Sequence, residues 1–378
     1  MEKTVLAICY DFDKTLSPEN MQESDYIPSI KYEAEVFWQE VNEIAKTNDM
    51  DQNLTYMYLM ADKSRGKVVF NREKLVNAGR SVKLFPGVDS WFERINEYGK
   101  AHDIKVEHYV ISCGLKEMIE GTSIATQFER IYASSFFYDK DGVAIWPAQV
   151  VNYTNKTQFL FRIEKGVLDV NDQKVNDYFK PDKYRVPFRN MVYIGDSDTD
   201  IPCMKLVNSN GGHSIGVYDS ETRDKSKVFR MLEENRIRYF MPADYREGSQ
   251  LENLLKEIID RTATNEVLER QHFACINEKE SETQDRSEEE QIKENLINKL
   301  DESRSFANTH SLIKDLNMIE DWSIPQKERL CQFALNNRQV SNILNDSDVK
   351  AFFVKICKDA EFKYANDIKK KFKDEDPI

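Results

Sequence analysis

Three short runs of residues, each followed by small or acidic side chains, constrain the fold of this chain most strongly. Residues 5–10 are apolar throughout, with no alternation of apolar and polar positions, which is typical of a strand buried on both faces of a parallel sheet. This run stops at Asp11, and two later runs stop at Ser112 and at Gly195. Because ligands of open α/β sheets bind at the carboxyl ends of the strands, we expect these three ends to form one crevice.

The remaining patterns predict a mixed α/β fold. Apolar residues between positions 32 and 45 recur at spacings of three and four, which predicts a helical insertion after the first strand. Asp141-Gly142 stands between two apolar runs and predicts a β-hairpin. We therefore expect a Rossmann-like parallel sheet with an inserted helical subdomain and a C-terminal helical extension. The further predicted strands are residues 106–111, 130–133, 191–194, 214–217 and 238–240.

The composition changes after a helix that is predicted near residues 249–261. Residues 278–290 contain seven acidic and two basic side chains and no large apolar one, so they form either a linker or a solvated helix. Clustered apolar residues beyond them predict a separate helical domain. The predicted domains are a core at 1–16 and 84–261, an insertion at 17–83, an acidic linker at 262–292 and a helical domain of unknown role at 293–378.

The charge balance and the cysteines restrict the class of protein. With 53 Lys and Arg against 66 Asp and Glu the net charge is -13, which argues against nucleic acid as a partner. No stretch reaches the ~20 apolar residues that a membrane span needs, and the N-terminus does not resemble a secretory signal, so neither membrane insertion nor export is expected. Six scattered cysteines without a Cys-x-x-Cys pair favour free thiols in a reducing cytoplasm.

Asp11 and Asp13 suggest the chemistry of the predicted crevice. They stand two residues apart, so in extended backbone their side chains point to the same side. Transfer of a phosphoryl group needs a nucleophile, a group that protonates the leaving oxygen, and neutralisation of charge on the phosphoryl oxygens. Asp11 can be the nucleophile, through an aspartyl-phosphate, and Asp13 can be the acid. Thr15 can donate a hydrogen bond to the bound phosphoryl group.

Three segments resemble motifs of the haloacid dehalogenase-like hydrolase superfamily. The sequence DFDKT at residues 11–15 resembles its first motif, ISCG at residues 111–114 its second, and GDSDTD at residues 195–200 its fourth. The resemblance implies that Ser112 and the adjoining Gly114 bind the substrate phosphate. It extends over approximately residues 1 to 260 and does not cover the C-terminal third.

The same resemblance implies a magnesium site. In it, Asp196 coordinates Mg²⁺ and Asp200 either coordinates the ion or orients its waters, together with Asp11 and Asp13. Mg²⁺ prefers oxygen ligands and keeps several waters, so carboxylates from distant strand ends suit it. Asp198 lies outside the matching positions and is expected to be solvated or to cap the next helix.

The third motif of the superfamily is a lysine that restrains the nucleophile and the phosphate charge. Lys156 and Lys165, both between the second and fourth motifs, compete for this role. Lys156 is the preferred candidate, because it precedes an apolar helical stretch, as the motif lysine of the family opens a helix. Its separation from Gly195 is longer than is usual in the family, so Lys165 stays open as the alternative.

The resemblance also narrows the reaction. Dehalogenases of the superfamily lack an acid two positions after the nucleophile and ion pumps carry threonine there, so Asp13 implies phosphate-ester hydrolysis or a phosphomutase. Residues 17–83 resemble a cap of the first type, which closes over small substrates. The arrangement is most similar to the phosphoserine-phosphatase-like branch, and a small phosphomonoester is the expected substrate. Arg65 and Arg80 are candidates for contact with a charged substrate group, although an ordinary surface role suits them better.

Alternatives from other functional classes stay open. The same residues would form the same aspartyl-phosphate in a phosphotransferase or phosphomutase, in which an alcohol replaces water as the acceptor. A chain with this fold could also sense a phosphorylated metabolite and act through its C-terminal helical domain. Residues 262–378 are accordingly a candidate surface for a protein partner or for self-association.

Overall fold

The computed structural model describes residues 3–222 and 224–374, and for residues 282–287 and 374 it describes the backbone alone. Residues 1, 2 and 375–378, at the ends of the first and last predicted domains, lie outside the described residues. The chain forms two compact units, Met1–Arg270 and Gln271–Ile378. The predicted domain boundaries differ from this division and stay a prediction.

The first unit is built on a central sheet. Its strands are β1 (Thr4–Tyr10), β2 (Ile104–Leu115), β3 (Arg130–Tyr138), β4 (Ala144–Gln149), β5 (Met191–Gly195), β6 (His213–Tyr218) and β7 (Tyr239–Pro242). They form one seven-stranded sheet in the order β4-β3-β2-β1-β5-β6-β7. All neighbouring pairs are parallel except β3 and β4, which are antiparallel.

This topology confirms the predicted α/β class with a mostly parallel, Rossmann-like sheet. Each predicted strand forms, and Asp141-Gly142 lies in the turn of the β3–β4 ribbon. β1 pairs with β2 on one side and with β5 on the other. The carboxyl ends of these three strands are therefore neighbours at one edge of the sheet, as the sequence predicted.

Both faces of β1 are buried, which explains its unbroken apolar sequence. Its even-numbered residues from Leu6 to Tyr10 pack into one hydrophobic cluster, which also contains residues of the insertion. Its odd-numbered residues from Val5 to Cys9 pack into a second cluster on the opposite face. Removal of this apolar surface from water on both sides stabilises the strand that carries Asp11.

Helices form the insertion and cover the faces of the sheet. Those of the insertion are α1 (Met21–Ser24), α2 (Tyr26–Ser29), α3 (Ala34–Asn48), α4 (Gln52–Ser64) and α5 (Arg72–Gly79). The sheet helices are α6 (Val88–Ala101), α7 (Lys116–Glu120), α8 (Thr157–Lys165), α9 (Ile201–Ser209), α10 (Ser226–Glu233) and α11 (Gln250–Asp301). Short 3-10 helices lie at Ala125–Gln127, Gln173–Asn176, Pro181–Lys183, Phe188–Asn190 and Asp198–Asp200.

The second unit is helical and has its own hydrophobic core. After α11 come α12 (Phe306–Asn317), α13 (Ile324–Asn336), α14 (Arg338–Asn342), α15 (Ser347–Cys357) and α16 (Lys363–Asp374). Leu300, Leu330 and Phe353 are among its fully buried residues. Residues 278–290, for which a linker or a solvated helix was predicted, are helical as part of α11. None of the described helices combines the length and the hydropathy needed to cross a lipid bilayer.

The insertion packs tightly against the core through two glycines. A Cβ atom at Gly79 of α5 would lie 1.9 Å from the carbonyl oxygen of Met118 in α7, and a Cβ at Gly121 would lie equally close to the carbonyl oxygen of Val76. Such a contact is far inside the van der Waals limit, so the two backbones can approach this closely because neither glycine has a side chain.

Gly79→Ala should therefore destabilise the protein, because the added methyl group forces α5 away from α7. We expect a loss of roughly 1–3 kcal/mol in the free energy of unfolding, the usual effect of overpacking, measured by chemical denaturation. Asn77→Ala is the matched control, since Asn77 is an exposed residue of the same helix. Equal stability of the two variants would contradict this account of the α5–α7 contact.

Candidate active site

A cavity of about 550 Å³ opens at the carboxyl ends of β1, β2 and β5. Side chains that the sequence predicted for the site line it, namely Asp11, Asp13, Ser112 and Asp196. Residues of the insertion complete the wall, including the segment 50–53 before and at the start of α4. The predicted convergence of the strand ends therefore corresponds to a cavity in the fold.

Asp11 directly follows β1 and is held in a fixed position. Its backbone N–H donates to the carbonyl of Ile194 at 2.9 Å, which extends the pairing of β1 with β5 by one residue. Its Oδ1 accepts a hydrogen bond from the backbone N–H of Phe12 at 2.8 Å and lies 3.2 Å from Nζ of Lys156. The side chain is almost wholly buried but lines the cavity.

Lys156 is the buried cation of the site. It immediately precedes α8, is fully buried, and donates from Nζ to Oδ1 of Asp200 at 2.7 Å. Lys165, the alternative candidate, instead ends α8 and donates to the backbone carbonyls of Val175 and Asp177. The fold brings Lys156 to Asp11 and directs Lys165 to a loop.

Three carboxylates form a cluster that could hold a metal ion. Asp11, Asp196 and Asp200 each offer an oxygen, and these oxygens lie within 4.8 Å of one another. Asp200 is fully buried and also accepts hydrogen bonds from the hydroxyl groups of Tyr193 and Ser197. Since hard oxygen donors suit Mg²⁺, the donor set fits the ion that the sequence implied.

Asp13 lies in the cavity but is not one of these three clustered carboxylates. Its Oδ1 accepts a hydrogen bond from the backbone N–H of Met21, the first residue of α1, at 2.9 Å. Gly114 lies beside it: a Cβ at that position would be 3.1 Å from Oδ2 of Asp13 and 2.2 Å from the Met21 methyl carbon. Gly114 thus makes room for the Asp13 carboxyl group and for the start of the insertion.

The two hydroxyl groups predicted to bind phosphate differ in their surroundings. Ser112 lines the cavity, and its Oγ accepts a hydrogen bond from the backbone N–H of Gly114 at 3.0 Å. Thr15 is fully buried and is not among the residues that line the cavity. Its Oγ1 has no hydrogen-bond partner among the described residues.

Asp198, which lies outside the matching motif positions, is not part of the carboxylate cluster. It is exposed and pairs with Arg230 of α10 at 2.8 Å. It does not line the cavity. The two predicted cap arginines, Arg65 and Arg80, are exposed and likewise do not line it.

Burial and crowded negative charge raise the pKa values of the acids in the site. Burial raises the pKa of Asp13 to about 7, and burial together with the charge of Asp200 raises that of Asp196 to about 6. Burial and Asp200 also raise the pKa of Asp11 well above its usual range, while Lys156 opposes this shift. Although burial alone would lower the pKa of Lys156, Asp11 and Asp200 hold it well above its usual range. The lysine is thus a permanent cation. A divalent ion would counter the raised pKa values of the carboxylates, because it favours their ionised forms.

Several lining residues were not found by sequence reasoning. Lys227 of α10 lies 3.4 Å from Asp196 through its ammonium group. Asp51 and Asn53 come from the start of α4, and Tyr153 from the loop before α8. No motif marks these residues, because the contacts that bring them to the cavity are long-range. The local signal at Asp51 is that of a helix cap, and its side chain indeed accepts from the backbone N–H groups of Asn53 and Leu54.

Several known proteins and solved structures are similar to this chain. An uncharacterised protein of Borreliella burgdorferi is 26% identical over 285 residues, which are 68% of this chain and 97% of that protein. A haloacid dehalogenase family hydrolase from Salmonella enterica serovar Typhi is 16% identical with a TM-score of 0.44, over 67% of this chain and 70% of that one. A phosphoserine phosphatase solved as a phospho-aspartyl intermediate analogue is also 16% identical, with a TM-score of 0.40 over 68% and 99% of the two chains.

The sequence model of the family described as haloacid dehalogenase-like hydrolase matches residues 8–205. This match spans just over half of the 378 residues and includes all four motif regions. It confirms the resemblance that the motifs suggested. The chain therefore belongs to the haloacid dehalogenase-like hydrolase family.

Proposed function

We propose that this protein is a magnesium-dependent phosphohydrolase that cleaves a small phosphomonoester through an aspartyl-phosphate on Asp11. One observation carries the proposal: a carboxylate at the end of β1 faces a cavity, with a buried ammonium behind it and two further carboxylates beside it. This arrangement can hold a nucleophile, a metal ion and a phosphate group together.

In the first step an Oδ atom of Asp11 attacks phosphorus, and the bond from phosphorus to the ester oxygen breaks. The leaving alcohol needs a proton, which Asp13 can give because its pKa of about 7 leaves part of its population protonated near neutral pH. The backbone N–H of Met21 fixes the Asp13 carboxyl group in the cavity. Asp11 and Asp13 then hold opposite roles, as nucleophile and acid.

In the second step water hydrolyses the aspartyl-phosphate. Asp13, which is now ionised, accepts a proton from the attacking water, and the new bond from oxygen to phosphorus replaces the bond to Asp11. Asp11 is released as a carboxylate, and the ammonium of Lys156 at 3.2 Å stabilises its charge. Inorganic phosphate is the product.

Asp11, Asp196 and Asp200 would hold the magnesium ion. When bound, Mg²⁺ neutralises charge on the phosphoryl oxygens and orients the phosphate for in-line attack. Ser112 is placed to donate a hydrogen bond from its hydroxyl group to the same phosphate, and the backbone N–H of Gly114 orients this hydroxyl group by donating to its oxygen. Lys156 restrains Asp11 and Asp200 from behind.

The substrate is proposed to be small. The cavity of about 550 Å³ is closed on one side by the insertion, through Asn20 and residues 50–53. Asp51 joins this wall to the core, since its Oδ2 accepts a hydrogen bond from the side chain of Asn152 at 2.9 Å. A cap held in this way admits a small phosphate ester more readily than a folded phosphoprotein.

Asp11→Asn should abolish magnesium-dependent release of phosphate from p-nitrophenyl phosphate or from a phosphorylated metabolite found by screening. Asp13→Asn should lower kcat by about 10²-fold or more, the effect of losing a positioned acid. Asp198→Asn is the control, because Asp198 carries the same side chain two residues after Asp196 but lies outside the cavity. Full turnover by Asp11→Asn would show that the nucleophile has been misassigned.

Magnesium should raise the melting temperature of the wild-type protein, because an ion that binds only the folded state stabilises it. Asp196→Asn should remove most of this increase, whereas Asp198→Asn should keep it, since only Asp196 belongs to the carboxylate cluster. Differential scanning fluorimetry measures this increase at Mg²⁺ concentrations from 0 to about 100 times the Kd. At the upper end the free energy of unfolding is expected to rise by about 2.7 kcal/mol. An equal response of both variants would exclude this site.

The two candidate lysines can be compared directly. Lys156→Met removes the cation between Asp11 and Asp200, so we expect turnover to fall at least about 10²-fold and the free energy of unfolding to drop by about 3–5 kcal/mol. Lys165→Met loses hydrogen bonds to loop carbonyls and a cation–π contact with Phe179. Because Lys165 does not line the cavity, this variant should keep kcat near the wild-type value. Steady-state kinetics and denaturation of both variants would reveal the reverse pattern if Lys165 were the motif lysine.

A further inference from the structure

Lys227 brings to the site a cation that belongs to none of the four motifs. Its Nζ lies 3.4 Å from Oδ2 of Asp196, and its side chain lines the cavity with 41% of its surface exposed. Among the described residues, Asp196 is the only one that accepts a hydrogen bond from this ammonium. Lys156, in contrast, is fully buried between two carboxylates. The ammonium of Lys227 is therefore less constrained by its surroundings than that of Lys156.

Arg230 lies one helical turn further along α10 and provides a comparison. Its guanidinium donates to both carboxylate oxygens of Asp198, at 2.8 and 3.0 Å. Neither Arg230 nor Asp198 lines the cavity. α10 thus directs two cations at the loop after β5, and of these two Lys227 is the one paired with a member of the carboxylate cluster.

We propose that Lys227 competes with Mg²⁺ for Asp196 and, once displaced, binds the phosphate group of the substrate. The inference rests on the magnesium site proposed above. An ammonium and a divalent cation that share one carboxylate repel each other, and a partly buried site screens this repulsion less than bulk water does. The four-carbon stem of lysine is flexible, so the ammonium can leave Asp196 without a change in the backbone.

The cavity determines where the displaced ammonium can go. Lys227 and Asp11 line the same cavity, and the phosphate ester must reach Asp11 to react. The clustered carboxylates would be engaged by the metal ion in this state. Of the other two acids that line the cavity, Asp13 accepts a hydrogen bond from a backbone N–H of α1, and Asp51 accepts from the backbone N–H groups that begin α4. The phosphate is therefore the anion best placed to pair with Lys227. An ammonium is a compact donor that binds phosphate as a point charge.

Metal binding and phosphate binding are then coupled. Mg²⁺ frees Lys227 for the phosphate, and by thermodynamic reciprocity the phosphate raises the affinity for Mg²⁺ by the same factor. Lys227 acts as a specificity-determining residue for the phosphate and as a regulator of metal affinity. A residue that merely stabilised the loop after β5 would have the opposite effect on the metal, because its removal would weaken Mg²⁺ binding.

Isothermal titration calorimetry of the full-length protein tests this inference without turnover. Lys227→Met should bind Mg²⁺ about fivefold more tightly than the wild type, the effect of removing a half-exposed ion pair from Asp196. At saturating Mg²⁺ the same variant should bind inorganic phosphate several-fold more weakly. Arg230→Met should match the wild type in both titrations, and Lys227→Arg should restore phosphate binding.

Unchanged or weaker Mg²⁺ binding by Lys227→Met would overturn the inference, as would an equal gain in Arg230→Met, which would indicate a general effect of net charge. Unchanged phosphate binding would overturn the second role of Lys227. If the wild-type protein bound no Mg²⁺ at all, the proposed function would fail together with this inference. If the wild type bound Mg²⁺ and Lys227→Met did not bind it more tightly, the inference alone would fail.

Discussion

The candidate site depends on one buried ammonium group. Lys156 is fully buried, and taking an ammonium out of water costs several kcal/mol unless nearby charges and hydrogen bonds offset it. The carboxylates of Asp11 and Asp200, at 3.2 and 2.7 Å, supply this compensation. The contact joins the end of β1, the loop after β5 and the start of α8, so it fixes three segments that are far apart in the sequence. With Asp196 the cluster holds three carboxylates against one buried ammonium, and a divalent cation matches the remaining negative charge.

Much of the fold and of the site could be predicted from the sequence, because the relevant signals are local. The apolar run of β1 has no alternation since both of its faces are buried, and that pattern is visible without any partner strand. Asp11 and Asp196 follow directly after strands and Ser112 lies near the carboxyl end of β2, so their position at the crevice follows from the parallel topology alone. The sequence alone does not settle whether Lys156 or Lys165 is the lysine of the site. Lys156 directly precedes α8 and Lys165 ends it, and only the three-dimensional structure shows which ammonium contacts the carboxylates.

Other features could not be predicted, because their signals are not local or are ambiguous. Lys227 reaches Asp196 from a helix 31 positions later in the chain, and a lysine on an amphipathic helix is ordinarily a surface residue. Thr15 matches the first motif but is buried outside the cavity lining, so pattern alone did not indicate its surroundings. The acidic segment at 278–290 lacks the apolar stripe that marks a packed helix, yet its backbone is helical as part of α11. High charge excludes a core position, but it does not distinguish a solvated helix from a linker.

In the proposed mechanism Asp11 and Asp13, two acids of one short motif, serve opposite roles. Burial raises the pKa of both acids, but the ammonium of Lys156 opposes this shift at Asp11, whereas at Asp13 the main opposing contact is the backbone N–H of Met21. A full positive charge favours an ionised carboxylate far more strongly than an amide dipole does. Lys156 does not reverse the upward shift in the pKa of Asp11, but Asp11 belongs to the carboxylate cluster and Asp13 does not. A divalent cation at the cluster would therefore favour the ionised form of Asp11, the proposed nucleophile, while Asp13 keeps a carboxyl group that can still give a proton. Because Met21 begins α1, the first helix of the insertion holds the proposed acid, and any shift of α1 relative to β1 would change the geometry of the proposed proton transfer to the leaving group.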